Sequence, residues 1–191
     1  MKTSLLLVLS IVFFISCKSG GNTNTDTTST DMGAVSENNT NTWDQDKIKE
    51  FIDEAAIGGM MEVELGKIAQ KKALSTKVRD YGKMMEKDHS EASNKLKTVL
   101  QTMSMNVPAA MDKEHQDKVD DLNKKTGNDF DKEYIDKMVQ DHKDDVSKFE
   151  DAQKNLPSGE LRTWVENTLP VLRQHQIQAE TLQDQLKNQK K

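Results

Sequence analysis

The chain has one cysteine, Cys17, in 191 residues. Everything after it lacks disulfides, thiolate ligands and a cysteine nucleophile. Proline is scarce, at 3 residues, and aromatics make up only 5%, which argues against an all-β sandwich. Basic charge is in deficit: 27 Lys and Arg stand against 32 Asp and Glu, a net charge of -5. No basic stripe with interleaved aromatics occurs, so no nucleic-acid partner is expected, and such a surface repels anionic lipid. A glycine-rich phosphate loop, a His-Glu-x-x-His pair and a nucleophile elbow are all missing, so an enzymatic role is the less expected one. What the chain does have is 31% charged and 34% hydrophobic residues. That mixture suits long amphipathic helices with solvated outer faces.

The only long apolar run lies at the start. Met1-Lys2-Thr3 is a short positive segment, and Leu5 to Ile15 is apolar but too short to span a bilayer comfortably. The run ends at Phe14-Ile15-Ser16-Cys17, which resembles a bacterial lipobox. Residues 1–17 are therefore expected to be a lipoprotein signal, with Cys17 as the lipidated residue and the membrane reached through that anchor. Lys18, in place of Asp, favours the outer membrane by resemblance to Gram-negative sorting rules. Residues 18–42 are dominated by Asn, Thr, Ser and Asp and bury too little apolar surface to offset their ordering entropy. They read as a flexible tether. Asp26-Thr27-Thr28 resembles a short O-glycosylation site, although simple linker composition accounts for it as well.

Residues 43–191 carry helical periodicity. Phe51, Ala55, Gly58, Glu62, Leu65 and Ala69 recur at alternating spacings of four and three, marking one helix face over 45–73. Gly58-Gly59 weaken that helix by about 1 kcal/mol each, and close approach of a neighbour is the expected return. Leu74-Ser75 reads as a turn with Ser75 as N-cap. The second stripe is Val78, Gly82, Met85, His89, Ala92, Leu96, Val99 and Met103, ended by Asn106-Val107-Pro108. A short helix near 112–125 follows. A third long helix over about 130–154 carries Ile135, Met138, His142, Phe149 and Ala152. Pro157-Ser158-Gly159 is a turn in which Ser158 is positioned to cap a fourth long helix with Leu161, Thr168, Leu172, His175, Ala179, Leu182 and Leu186. Pro170 should kink it. The expected fold is all-α: a four-helix bundle of ferritin-like topology, with the short extra helix in the crossover between the second and third long helices.

Four ionisable residues interrupt the apolar stripes, one per long helix: Glu62, His89, His142 and His175. At about 1.5 Å per residue, Glu62 and His89 both lie roughly 20 Å from the Leu74-Ser75 turn. His142 and His175 lie at similar heights from Pro157. All four should meet at one level of the core. Glu86 precedes His89 by three residues, the Glu-x-x-His spacing that metal ligands use inside bundles. Met85-Glu86-Lys87-Asp88-His89 is echoed by Met138-Val139-Gln140-Asp141-His142. His115, in the short helix, breaks no stripe and reads as surface.

The layer has two readings. Three imidazoles with one or two carboxylates suit zinc, copper, nickel or iron rather than calcium or magnesium, and the ions to test are Fe, Zn, Cu and Mn. Met85 and Met138, each one turn before a core histidine, fit copper, although methionine at this spacing is ordinarily core filling. Alternatively, the layer is a hydrogen-bond network that fixes helix register in a non-catalytic structural or stress-related bundle.

Phe51, Ala55, Gly58-Gly59, Glu62-Val63-Glu64-Leu65-Gly66, Met85, Asp88-His89, Asp129-Phe130-Asp131, Tyr134, Met138, Asp141-His142, Leu169-Pro170 and His175 together resemble the bacterial family called domain of unknown function 4142. The resemblance covers residues 45–186. It implies a ferritin-like bundle and an envelope location, and supplies no established activity. It also exposes a departure from di-iron bundles, which place Glu on two helices and Glu-x-x-His on the other two. Here only Glu62 and Glu86-x-x-His89 fit that scheme. His142 stands where Glu is expected, Leu172 precedes His175 by three, and Asp145, one turn past His142, is a candidate substitute. A histidine-rich mononuclear or degenerate site is the expectation, rather than a ferritin-type di-iron centre.

Overall fold

Local sequence starts and stops each helix. Asp44 accepts the Lys47 amide at 2.8 Å and opens α1, Gln45–Lys72. The second helix, α2, covers Thr76–Thr102. Asp112 accepts the His115 amide at 2.9 Å and opens the short α3, Lys113–Asn123. Gly127, at φ +64°, leads into α4, Gly127–Asn155. The last helix, α5, covers Glu160–Asn188 and runs on through the exposed Pro170. This computed structural model describes residues 43–188, and no strand occurs among them. Cys17, the lipobox and the 18–42 tether lie outside the described residues. None of the described helices is long and apolar enough to cross a membrane.

Two caps differ from expectation. Ser75 occupies the N-cap position of α2, but its side chain makes no capping bond. Asp131, reaching over from α4, accepts the Leu74 amide at 3.0 Å and the Ser75 amide at 2.7 Å. Arg79 secures the other side of the same turn by donating to the Ala73 and Leu74 carbonyls. At α5, the Gly159 carbonyl accepts from Thr163, so Gly159, at φ +155°, fills the place expected of Ser158.

Helix α1 packs most extensively on α2, and α4 on α5; α2 then meets α5, and α1 meets α4 and α3. The closest α1–α2 approach is at Gly66 and Gly82. A Cβ on Gly82 would fall 2.7 Å from the Ala69 Cβ and 2.9 Å from the Gly66 carbonyl oxygen. This is the contact that the Gly58-Gly59 pair was expected to supply. A Cβ on Gly58 would meet nothing within 4 Å, and one on Gly59 only the Ser93 hydroxyl, at 3.3 Å.

The apolar core comes in two blocks. One holds Leu65, Met85, Tyr134, Met138 and Ala179; the other holds Ile52, Leu96, Phe149, Leu169 and Leu172. In α2, α4 and α5 the break between blocks falls at His89, His142 and His175, and in α1 it falls just before Glu62. The Met85 and Met138 side chains are fully buried in the first block and serve as core filling.

Candidate metal centre

Helical phase and helix length bring His89, His142 and His175 to one level, as spacing alone requires once the turns are fixed. All three are buried, at 6%, 0% and 1% exposure, and one ring nitrogen of each lies within 4.8 Å of the others. Ring centroids are 5.2 to 5.5 Å apart. Burial pushes each imidazole down to a pKa of about 4, so the rings are neutral at ordinary pH.

Each ring then carries one N–H and one lone pair, and the partners decide which nitrogen has which. His142 Nδ1 lies 3.0 Å from the Met138 carbonyl oxygen, which only accepts, so Nδ1 carries the proton. Its Nε2 is left with a lone pair. His175 Nε2 lies 3.1 Å from Asp88 Oδ2. Although partial burial opposes it, hydrogen bonds from Lys87 and His175 hold the Asp88 carboxyl below its usual value. Asp88 is therefore an acceptor, His175 Nε2 donates, and Nδ1 keeps the lone pair. His142 Nε2 and His175 Nδ1 consequently face each other, 3.3 Å apart, with two lone pairs between them.

Glu62 orients the third ring. Its Oε2 lies 3.0 Å from His89 Nδ1, leaving His89 Nε2 buried with no hydrogen-bond partner among the described residues. Glu62 Oε1 is 3.4 Å from His142 Nδ1, but that nitrogen's hydrogen goes to Met138, so Oε1 is also buried without a hydrogen bond. Burial pushes the Glu62 pKa up to about 7, with the neighbouring Asp141 adding to it and His142 opposing it.

One pair of these donors stands at the separation that a shared metal ion imposes, and all three ring nitrogens lie within 4.8 Å of one another. With metal–nitrogen bonds of about 2.0–2.1 Å at tetrahedral angles, two imidazole nitrogens on one zinc ion stand about 3.3–3.4 Å apart. The proton-bearing nitrogens of His142 and His175 are held by a carbonyl and a carboxylate, which is how metal-binding imidazoles are oriented and made more basic, and Glu62 stands 3.0 Å from His89 Nδ1. Glu62, Asp88 and the Met138 carbonyl fill that outer role.

The sequence-derived set of Glu62, Glu86, His89, His142, Asp145 and His175 is thus divided. The three histidines come together, with Glu62 behind His89. Glu86 turns away towards α1, where it accepts from Gln70 Nε2 at 2.6 Å. Asp145 lies with Glu62 on the wall of a groove and stands outside the histidine group. Burial, then the charges of Glu62 and Asp141, push its carboxyl well above its usual range. Asp88 was missed. The repeated Asp-His pair at 88–89 and 141–142 was the available signal, yet the two aspartates differ in role: Asp141 pairs with Lys137 at 3.3 Å. His115 is half-buried and bonded to Asp112, away from the group.

An all-helical domain with a buried cluster of three imidazoles is the class that fold and site define. Residues 33–182 match the family described as Domain of unknown function (DUF4142), and the chain belongs to that family. No curated protein and no solved structure gives a match.

Proposed function

We propose that the chain is a lipid-anchored protein of the bacterial envelope that holds one transition-metal ion on His89, His142 and His175. In this reading α1, α2, α4 and α5 form a ferritin-like four-helix bundle, with α3 in its crossover. The apolar run ending at Cys17 supports the anchor, and Lys18 supports the outer membrane. The observation that carries the metal reading is the pair of facing lone pairs, His142 Nε2 and His175 Nδ1, at 3.3 Å in a buried site. Two such lone pairs repel unless a cation lies between them.

Three neutral imidazoles favour zinc, copper or iron over manganese, and disfavour calcium and magnesium. When bound, such an ion supplies a Lewis-acidic or redox-active centre. The chain's own residues orient the rings, hold a proton on each outer nitrogen and exclude bulk water. A cavity of about 30 Å³ beside His89 and Glu62 has room for a water molecule. A single internal centre suits one retained ion rather than bulk storage.

The second reading, a purely structural hydrogen-bond layer, draws on the same contact, since 3.3 Å also admits a hydrogen bond if one ring is reprotonated or its tautomer exchanged. Elemental mass spectrometry separates the two. The Asn39–Lys191 unit, purified without a metal-binding tag and reconstituted with Fe, Zn, Cu and Mn in turn, should retain near-stoichiometric metal and melt lower in EDTA. Protein that stays metal-free and melts identically with chelator has a structural layer.

A further inference from the structure

Glu62 has a second oxygen that the imidazole centre does not use. Its Oε2 serves His89, while Oε1 is buried, on a residue 1% exposed, and takes no hydrogen bond among the described residues. That side chain forms the inner wall of an open groove between α1, α3 and α4, of about 700 Å³. Ten carboxylates line this groove against three lysines. All three lysines pair with carboxylates of the groove, Lys49 with Asp53 at 2.5 Å, Lys148 with Glu54 at 2.9 Å and Lys118 with Glu114 at 2.6 Å, which leaves seven carboxylates, Glu62 and Asp145 among them, without a lysine of the groove. Asp145 and Glu62 both line the groove, and both also line the small cavity that Trp164 lines.

We infer that Glu62 Oε1 and the Asp145 carboxylate form a second cation site at the inner end of this groove, selective for a hard divalent ion such as Ca²⁺ or Mn²⁺. Oxygen donors and water from an open groove are the ligands such ions take, whereas the neighbouring imidazoles take softer metals. A divalent ion there satisfies the orphan oxygen of the buried Glu62 side chain. A net negative cleft also concentrates cations at its mouth. The site stands on the Glu62 oxygen left without a hydrogen bond, 3.4 Å from His142 Nδ1, and does not require the histidine centre to be filled.

The test uses the full-length protein in detergent, supplied with Zn²⁺, and titrates it with Tb³⁺, a luminescent probe of oxygen-ligand sites. Trp164 lines the same cavity and should sensitise its emission. The expected result is saturable emission, displaced by Ca²⁺ or Mn²⁺. Asp145→Asn should weaken Tb³⁺ binding by about tenfold or more, because it removes a charged ligand. Asp144→Asn, an exposed neighbour, should leave it unchanged. Emission that fails to saturate, or that falls equally in both variants, overturns the site and reduces it to a diffuse acidic surface. Should Asp145→Asn not fold by circular dichroism, Asp145→Ser is read in its place by the same criterion. Zinc content, measured on the same samples, reports the imidazole centre separately. Zinc-free protein that still binds Tb³⁺ through Asp145 would overturn the histidine reading and keep this one.

Discussion

His142 Nε2 stands 3.3 Å from His175 Nδ1, each ring held from behind by a group that fixes its proton on the opposite nitrogen. Removing either ring leaves at most two imidazole donors. His142→Ala or His175→Ala should therefore reduce retained metal from about one ion per chain to background, since a stable site of this type needs three protein ligands. Elemental analysis after dialysis checks this; full retention in both variants would place the metal elsewhere.

Acid should destabilise the metal-free protein. The three buried histidines have folded pKa values of about 4 against 6.5 in the unfolded chain. Between those values the unfolded state binds more protons, so the stability they contribute is present above pH 6.5 and is lost as pH falls towards 4. Glu62 acts in the opposite sense. Its folded pKa of about 7 lies above the ordinary 4.5, so its contribution is present below 4.5 and lost as pH rises to 7. The Asp145 and Asp141 carboxyls, also held up by burial, act in the same sense as Glu62; the histidine contribution is the one that predicts a melting temperature that drops on going from pH 6.5 to 4. A rise over that window would show that the rings are already protonated in the fold.

Glu62→Gln keeps an acceptor for His89 Nδ1 but removes its charge. Metal affinity should weaken by about 10–100-fold, the usual effect of losing an outer partner of a metal-bound histidine. Competition against a chromophoric chelator measures it. The metal-free variant should be no less stable than wild type at neutral pH, because a costly buried carboxylate has gone.

Gly82→Ala tests the α1–α2 approach. Alanine gains about 1 kcal/mol in helix propensity, but its Cβ would lie 2.7 Å from the Ala69 Cβ and 2.9 Å from backbone at Gly66. The helices must part, at a cost of about 1–3 kcal/mol. Urea unfolding should show a net loss. Gly58→Ala, where a Cβ meets nothing within 4 Å, should stabilise.

Asp131→Ala removes both acceptors for the Leu74 and Ser75 amides. With the carboxylate 2% exposed, the loss should be about 1–3 kcal/mol. Ser75→Ala, whose hydroxyl makes no capping bond, should change stability little.

Much of the fold was legible because helix formation is local. A 3.6-residue period in apolar residues, together with Asp44, Pro108 and the Pro157 turn, placed the four long helices to within a few residues. Constant rise per residue placed Glu62, His89, His142 and His175 at one height. Side chains that leave the core face were harder to read. Asp88 lies about 100° round α2 from His89, so its position on the stripe shows nothing; it reaches His175 only because α5 passes on that side. Glu86 had ligand spacing from His89, yet Gln70 lies close enough across α1 to claim it.

By itself, then, the sequence determined the helices, the apolar stripes and the four residues that interrupt them. These follow from the chain's own periodicity and need no partner. Tertiary structure decided which glycines meet, which carboxylate fastens the first turn, and which nitrogen of each imidazole is free to bind. Those outcomes depend on atoms brought together from helices far apart in the chain, where differences of less than 1 Å separate a donor from a bystander.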